Sequence, residues 1–303
     1  MRDRTDEKTT VAAIRTWQRI RLVRCFLVLM VPVAVLSGAS YLLWRAVAVS
    51  TPETYADIHF WFYFFDVGRE INVPTWFSAG LWIVIGLLAA YYCRHAVRFR
   101  SSWGFFSFLA FFLSLDETLE LHERLDVVGN ELARFLPVTV GFTWVLPGVL
   151  IAAVLCAFLV RLVLSLPRAV SLGLVASGLV FVGGSVGAES LAGMTLLNEG
   201  AAPSFFVLTL IEETLEMSGL ALCVASLLNL LEYRRVDGGT AYRITPADRR
   251  GEPPGTDASP LGGPSPRDDR PEPDRDVRGG TAGVDGDGNG WGGRTGDPAP
   301  SVS

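Results

Sequence analysis

The stretch FFLSLDETLELHERLD, residues 111–126, decides how the rest of the chain is read. It ends an apolar run that starts at Trp103, and it places several carboxylates and His122 before that run could finish crossing a bilayer. An acidic side chain at the centre of a membrane costs roughly 2.5–3.5 kcal/mol, so it persists only where a partner, a cation or a wet cavity compensates it. A second stretch, LIEETLEMSGL (210–220), repeats this arrangement with three glutamates. These two stretches define the candidate site.

The composition places the chain in the membrane class. Half of its 303 residues are hydrophobic and its mean hydropathy is +0.35, which is above the usual value for soluble domains. The formal net charge of −5 is unevenly distributed along the chain, so the total indicates little about partners. The four cysteines lie singly in separate apolar runs, without the paired spacing of a metal site or redox motif.

Six segments are predicted to cross a bilayer as helices, each of which requires about 20 residues, and the third and sixth include the acidic stretches. The predicted fold class is therefore all-α, a polytopic membrane helical bundle of about six transmembrane helices with a disordered C-terminal tail. The predicted spans cover about residues 25–44, 75–93, 103 into the acidic cluster, 138–160, 169–191 and 204–231. The predicted organisation is a basic cytoplasmic N-terminal segment (1–24), a six-helix transmembrane domain (25–235) and a disordered tail rich in Gly, Pro, Asp and Arg (236–303).

Other segments of the chain predict local features of the structure. Residues 1–24 are basic with apolar positions at helical spacing, which predicts an interfacial helix. Residues 122–136 alternate charged and apolar positions, which predicts a polar extension of the third helix at the interface. Pro147 is expected inside the fourth span, where neighbouring helices satisfy the carbonyl that it leaves unpaired.

The loop after the first span is rich in aromatic residues. HFWFYFF (59–65) carries Trp61 and Tyr63, which suit the headgroup level of a bilayer. FDVGREINVPTW (65–76) is explained as a loop that leads into a helix begun by Pro74. Asp66 and Glu70 are therefore left out of the candidate set.

Arginine is asymmetrically distributed around the spans. It accumulates in the N-terminal segment, in the loops after spans two and four, and in the C-terminal tail. By the positive-inside rule, both termini are expected in the cytoplasm.

This orientation allows the depth of each acidic residue to be estimated. A helix rises about 1.5 Å per residue through a hydrocarbon layer about 30 Å thick. On this scale Asp116, Glu189 and Glu213 all reach the outer half of the membrane. His59 and His122 lie near the same layer, so the predicted site is an outer-half cluster of carboxylates with a histidine.

The direction of each side chain follows from the turn of about 100° per residue in an ideal helix. Asp116, Glu120 and Glu123 then share one face of the third span. The glutamates of residues 212–216 likewise share one face of the sixth. His122 points well away from Asp116, so joint ligation of one ion would require a local distortion or a supporting role for His122.

Nine residues form the candidate set for a divalent metal or a proton relay: Asp116, Glu117, Glu120, His122, Glu123, Glu189, Glu212, Glu213 and Glu216. For Glu120, His122 and Glu123 the alternative is a helix end in water with solvated side chains. For Glu189 the alternative is a position at the membrane boundary.

Four blocks of the sequence resemble the recurring blocks of a family of uncharacterised bacterial multi-pass membrane proteins: INVPTWFSAG (71–80), FFLSLDETLELHE (111–123), GGSVGAES (183–190) and IEETLEMSG (211–219). The resemblance covers roughly residues 55–232 and omits both tails. It implies a location in the bacterial plasma membrane and supports most of the candidate residues as polar positions of the family. It implies no activity.

Three classes of function remain open. In the first, the carboxylates and His122 bind one or two divalent cations of unknown identity, for hydrolytic or redox chemistry on a lipid-like substrate. In the second, they relay protons or bind a transported cation, as intramembrane acids often do. In the third, the protein is a non-enzymatic assembly or sensor protein with polar interhelical contacts. Since the sequence has no nucleotide-binding loop, no nucleotide cofactor is expected, and the expected partners are the lipid bilayer and a small-molecule, lipid or ion ligand rather than nucleic acid.

Overall fold

The structure is a computed structural model, and it describes residues 17–137, 139–236 and 239–245. Most of these residues are helical. The described α-helices are α1 (Leu22–Ala48), α2 (Tyr55–Phe65), α3 (Val73–His95), α4 (Arg100–Leu119), α5 (Asp126–Ala133), α6 (Val145–Leu164), α7 (Arg168–Val182), α8 (Glu189–Glu199) and α9 (Pro203–Leu228). A 3₁₀ turn, Glu123–Leu125, precedes α5, and a π-helix, Gly183–Ala188, joins α7 to α8.

Four of the described helices are long and apolar enough to cross a membrane. They are α1, α3, α6 and the continuous helix Arg168–Glu199, which includes α7, the π-helix and α8. This result confirms the helical class and is compatible with contact with a lipid bilayer. The other two predicted spans correspond to α4 and α9, which carry the acidic residues, so the count of six spans stays a prediction.

Two predicted spans have different bounds in the structure. The fourth span begins at Val145 rather than at residue 138, so Pro147 lies in the first turn of α6 and not in the helix interior. Proline is tolerated there because the first backbone N–H groups of a helix have no intrahelical partner. The fifth helix continues to Glu199, beyond its predicted end at residue 191.

Several hydroxyl groups donate hydrogen bonds to backbone carbonyls of neighbouring helices and add to the packing of the bundle. Ser107 Oγ donates to Gly86 O at 2.8 Å and Ser114 Oγ to Ala79 O at 2.9 Å, which pairs α3 and α4 as antiparallel neighbours. Ser177 Oγ of α7 donates to Gly219 O of α9 at 2.8 Å. Such bonds satisfy polar groups in an apolar environment, where water cannot do so.

Helix α9 occupies the centre of the helical packing. It contacts α1, α3, α7 and the π-helix. Tyr92 near the end of α3 donates its hydroxyl to Leu227 O near the end of α9, at 2.6 Å. The main apolar core joins these helices through fully buried residues such as Ile85, Val170 and Leu227.

A small sheet that the sequence analysis did not anticipate lies beside the ends of α9 and α1. Its strands are β1 (Gln18–Arg19), β2 (Leu231–Val236) and β3 (Gly239–Ile244), in the order β1-β2-β3 and antiparallel throughout. The tail predicted to be disordered from residue 236 therefore contains a strand, and the described structure extends to Thr245. Gln18–Arg19 also form a strand instead of the expected helix. Residues 1–16 and 246–303 lie outside the described residues.

Side-chain contacts between β2, β3 and Trp17 stabilise this sheet. The guanidinium of Arg243 lies 4.4 Å from the ring centroid of Trp17, and that of Arg234 lies 4.9 Å from it. Glu232 accepts a hydrogen bond from Arg243 Nε at 2.7 Å. The sheet is thus built from cation–π contacts and ion pairs as well as from backbone bonds.

Candidate functional site

Three carboxylates from two helices meet inside the bundle. Glu117 near the end of α4 and Glu213 and Glu216 on α9 each place an oxygen within 4.8 Å of the other two. Residues three apart lie on the same face of a helix, which explains why Glu213 and Glu216 point together. The trio consists of candidates from both acidic stretches, so the predicted convergence of these stretches is present in the structure.

The π-helix Gly183–Ala188, which lies between α7 and α8, packs closely against α9. A Cβ atom added at Gly184 would lie 2.8 Å from the carbonyl oxygen of Glu212 and 3.0 Å from Cγ of Glu216. Only a glycine permits this approach of the two backbones. π-helical turns inside α-helices occur frequently at functional sites, and this turn contacts the face of α9 that carries the glutamates.

Helix α4 ends earlier than the sequence pattern indicates. It stops at Leu119, because Glu120 adopts a left-handed backbone conformation with φ 50°. The chain resumes as the 3₁₀ turn Glu123–Leu125 and the separate helix α5 (Asp126–Ala133), so residues 122–136 are largely helical but do not extend α4 as expected. The idea that Asp116, Glu120 and Glu123 share one helical face is therefore wrong.

This turn brings His122 onto Asp116, contrary to the expectation for an ideal helix. Asp116 Oδ1 accepts a hydrogen bond from the backbone N of His122 at 2.8 Å. Asp116 Oδ2 lies 3.0 Å from His122 Nδ1. Asp116 is thus paired with His122, and Glu117, one residue further along α4, is the residue that joins Glu213 and Glu216.

Trp144 links His122 to Glu189. Its ring lies 4.6 Å from the imidazole of His122, centroid to centroid, and its Nε1 donates to Glu189 Oε1 at 2.6 Å. The backbone N of Trp144 donates in turn to Asp126 Oδ1 at 2.7 Å. Glu189 is only 9% exposed, so it is a buried residue held by a hydrogen bond.

Glu70 is a member of this region that the sequence analysis missed. Its Oε2 atom is buried and has no hydrogen-bond partner among the described residues. The loop that carries it contacts α9, since a Cβ at Gly68 would lie 2.8 Å from Cγ2 of Thr209. In the sequence, only its charge distinguishes Glu70 as a possible site residue. Its proximity to the trio depends on a contact between its loop and α9, which are far apart in the chain.

The loop around Glu70 is fixed by Asn72. The side chain of Asn72 donates to Asp66 O at 2.6 Å and to Arg69 O at 2.8 Å, while it accepts from Thr75 N at 3.1 Å as the N-cap of α3. Ile71 has φ 60°, a conformation that is strained for a β-branched residue. These contacts hold Glu70 in place directly before α3.

Comparison with known proteins adds a family but no activity. Residues 24–230 match a family described as a domain of unknown function (DUF8692). The chain belongs to this family. No curated protein and no solved structure matches the chain. The DUF8692 region includes all nine predicted site residues and Glu70.

Burial and neighbouring charges affect the groups of the DUF8692 region that lie outside the long helices. Burial, together with the negative charges of Glu117 and Glu120, raises the pKa of Glu70 to about 7. Burial lowers the pKa of His122, but the hydrogen bond and charge of Asp116 outweigh it, so the net pKa is raised. Partial desolvation and the charge of Glu120 raise the pKa of Glu123, although its side chain remains exposed.

The remaining candidate residues, Glu212, Glu120 and Glu123, are not members of the trio. Glu212 is half-buried on α9 and is within electrostatic range of Glu189. Glu120 is within electrostatic range of Glu70, and Glu123 is exposed. His59 lies in α2, where its ring stacks on Tyr55 at 5.3 Å between centroids.

The arrangement provides oxygen ligands in a compact group. Carboxylate oxygens are the ligands that hard divalent cations such as Mg²⁺, Ca²⁺ and Mn²⁺ prefer. Beside them stand a histidine oriented by a carboxylate and a buried carboxyl group on a loop. The same groups can hold protons in place of a metal, because a carboxyl group in an apolar environment is stable when neutral.

Proposed function

We propose that this protein is an integral membrane protein that binds a divalent cation between Glu117, Glu213 and Glu216. The observation that carries the proposal is the meeting of three carboxylate oxygens within 4.8 Å of one another. Carboxylates that close cannot all remain ionised unless a cation lies between them. Two of the three come from an apolar helix, where a carboxylate without compensation is costly.

The pairing of Asp116 with His122 supports a metal-dependent reaction. Histidines at metal sites usually donate one ring N–H to a carboxylate, which fixes the tautomer and leaves the other nitrogen as an acceptor. With Nδ1 of His122 held by Asp116 at 3.0 Å, Nε2 is the nitrogen that acts. We assign His122 the role of accepting a proton from water beside the cation.

The position of the trio indicates the class of substrate. α4 and α9 are neighbours of helices apolar enough to cross a membrane, and Phe112 and Leu115 of α4 are about half exposed at the surface of the bundle. A substrate that reaches the trio sideways from a bilayer is lipid-like. Since hard oxygen ligands suit cations without redox activity, we propose hydrolysis as the reaction class.

A second candidate is a proton- or cation-coupled transporter, and Glu70 is the observation that favours it. Its buried oxygen lies on a loop outside the long helices, and its pKa of about 7 allows it to exchange protons near neutral pH. Chains of intramembrane carboxyl groups form proton relays in pumps and transporters. In this function Glu70 would pass protons to the trio.

Metal analysis of the full chain in detergent distinguishes a cation bound by the trio from protons shared within it. The protein is stripped with EDTA, incubated separately with Mg²⁺, Mn²⁺, Ca²⁺ and Zn²⁺, desalted, and analysed for bound metal and melting temperature. For the metal site, Glu213→Gln should lower both bound metal and stability, while the exposed Glu53→Gln should change neither. Unchanged metal content together with a higher melting temperature of Glu213→Gln would favour shared protons, since the substitution then removes a repulsion.

We also propose six membrane spans, with α4 and α9 crossing beside the four apolar helices, and both termini in the cytoplasm of a bacterial cell. The support is the distribution of arginine around the helices. Reporter fusions after Arg100 and after Thr245 should both read cytoplasmic. The second position is chosen because a fusion within β2 or β3 would disrupt the sheet, and an extracytoplasmic signal at either position would contradict this topology.

A further inference from the structure

A surface groove lies where α3 ends and α4 begins, at the opposite end of α4 from Glu117. It is a groove of about 550 Å³ lined by Ala90, Cys93, Arg94, Arg100, Gly104 and Ser107. Because α3 and α4 are antiparallel, this groove lies where α3 ends and α4 begins. It shares no residue with the carboxylate trio.

The floor of the groove is apolar. Ala90 and Gly104 carry little or no side chain, and a Cβ at Gly104 would lie 3.3 Å from Sγ of Cys93. Ser107 is buried and already donates to Gly86 O, so its hydroxyl does not present an unsatisfied group to the groove. A hydrocarbon chain can therefore lie on this floor without burying an unpaired polar atom.

The groove continues onto the apolar surface of the bundle. Leu87 precedes Ala90 by three residues on α3 and is 58% exposed. Phe108 follows Gly104 by four residues on α4 and is 68% exposed. Residues at these spacings share a helix face, so the floor and these side chains form one strip along the pair of helices.

The mouth of the groove is positively charged. Arg94 and Arg100 are both exposed, and Arg100 Nη2 donates to Arg94 O at 2.8 Å. Phe99, the residue before α4, has φ 59°. Arg94 lies near the end of α3 and Arg100 at the start of α4, so the connection between the two helices separates them in the chain. Within the described residues, neither guanidinium forms a salt bridge with a carboxylate.

We propose that this groove binds an anionic phospholipid, with the phosphate between Arg94 and Arg100 and an acyl chain along the floor. The two arginines are chemically suited to a phosphate, since guanidinium groups donate in a fork that matches its oxygens. Basic pockets between membrane helices on the cytoplasmic side recognise anionic headgroups in this way. The apolar strip behind the arginines matches an acyl chain, which a free phosphate does not have.

The test compares lipids that differ only in the headgroup. The full chain in detergent is titrated with phosphatidylglycerol or phosphatidylcholine of the same acyl chains, and binding is measured by native mass spectrometry and by melting temperature. We expect at least fivefold tighter binding of phosphatidylglycerol and a higher melting temperature with that lipid only. Glycerol phosphate without acyl chains should not stabilise the protein, and equal stabilisation by it would show a phosphate site instead of a lipid site.

Two variants locate the effect in the groove. The double substitution Arg94→Gln and Arg100→Gln should lower the affinity for phosphatidylglycerol at least fivefold, whereas Arg161→Gln with Arg168→Gln removes the same charge elsewhere and should leave it unchanged. Ala90→Leu fills the groove from an exposed position, keeps both arginines and should weaken lipid binding without lowering the lipid-free melting temperature. Equal affinity for the two lipids, or equal losses in both double variants, would overturn the proposal.

Discussion

Asp116 holds His122 through both oxygens of its carboxylate, one on the backbone N at 2.8 Å and one against Nδ1 at 3.0 Å. The pair closes the turn that ends α4, because it spans the left-handed residue Glu120. A single side chain therefore orients the imidazole and stabilises the path of the chain after the helix. Position 116, which the sequence analysis assigned to the ligand cluster, has this supporting role in the structure.

Asp116→Asn should lower both stability and metal affinity. An amide has only one acceptor oxygen, so the substituted side chain can accept from the backbone N of His122 but can meet Nδ1 only as a donor, which removes the charged bond and reverses the tautomer of the imidazole. The loss of a charged hydrogen bond costs about 1.5–3 kcal/mol, and the loss of one negative charge within electrostatic range of Glu117 weakens the attraction for a cation. Thermal unfolding and metal titration of the detergent-solubilised protein measure the two effects. The exposed Asp57→Asn serves as control, and wild-type behaviour of Asp116→Asn in both assays would contradict this role.

The pKa of Glu70 predicts a pH dependence of stability. Its pKa of about 7 in the folded protein exceeds the ordinary value of 4.5, so the folded state binds the proton more tightly than the unfolded state. The resulting stabilisation is complete below about pH 4.5 and is lost as the pH rises to about 7. Because Glu70 is partly exposed, we discount this term for solvent screening to about 1–2 kcal/mol.

The comparison of wild type with Glu70→Gln isolates this effect. Metal-free wild-type protein should lose more melting temperature between pH 5 and pH 8 than Glu70→Gln does, and Glu53→Gln should behave as wild type. A divalent cation should reduce the loss in wild type. Parallel pH curves for wild type and Glu70→Gln would show that Glu70 does not carry the raised pKa.

Gly184→Ala should destabilise the protein through the contact of the π-helix with α9. The new Cβ would meet the carbonyl oxygen of Glu212 at 2.8 Å, and backbone must move to accommodate it. Overpacking of this kind typically costs about 1–3 kcal/mol. Gly187→Ala is the matched control, because it lies in the same π-helix and a Cβ there meets nothing within 4 Å. Equal melting temperatures for the two variants would mean that α9 can shift without cost.

Two truncations test how far the ordered chain extends. A chain ending at Thr245 should keep the melting temperature of the full protein. A chain ending at Val236 lacks β3, its pairing with β2 and the exposed ion pair of Arg243 with Glu232, so it should be less stable, with about 0.2–1 kcal/mol of the loss due to that ion pair. Equal stability of the two truncated chains would show that β3 contributes nothing to the fold.

The helices could be predicted from the sequence, because a helix long enough to cross a bilayer requires an apolar run of about 20 residues. The end of α4 could not be predicted in this way. Left-handed helix ends usually carry glycine or asparagine, whereas here Glu120 adopts this conformation and the contact between Asp116 and His122 bridges the turn. The choice of Glu117 over Asp116 as the residue facing α9 follows from that packing.

The sheet had a signal in the sequence that the composition of the tail concealed. Asp237-Gly238 separates LEYRRV from GTAYRI, and such a dipeptide between strand-like segments is typical of a hairpin. Glu70 had no comparable signal, since its relation to Glu117 depends on the contact of a loop with α9. Long-range contacts of this kind are set by tertiary packing and leave no periodic pattern in the chain.

The division of the trio between α4 and α9 has a consequence for biosynthesis. In the proposed topology, α4 is synthesised early and α9 last among the described helices, and each carries carboxylates that would make its insertion alone unfavourable. Until α9 enters, Glu117 has neither Glu213 nor Glu216 beside it. The centre of the molecule is therefore completed by the last helix to be translated, and a nascent chain arrested before Pro203 contains only the Glu117 part of the trio.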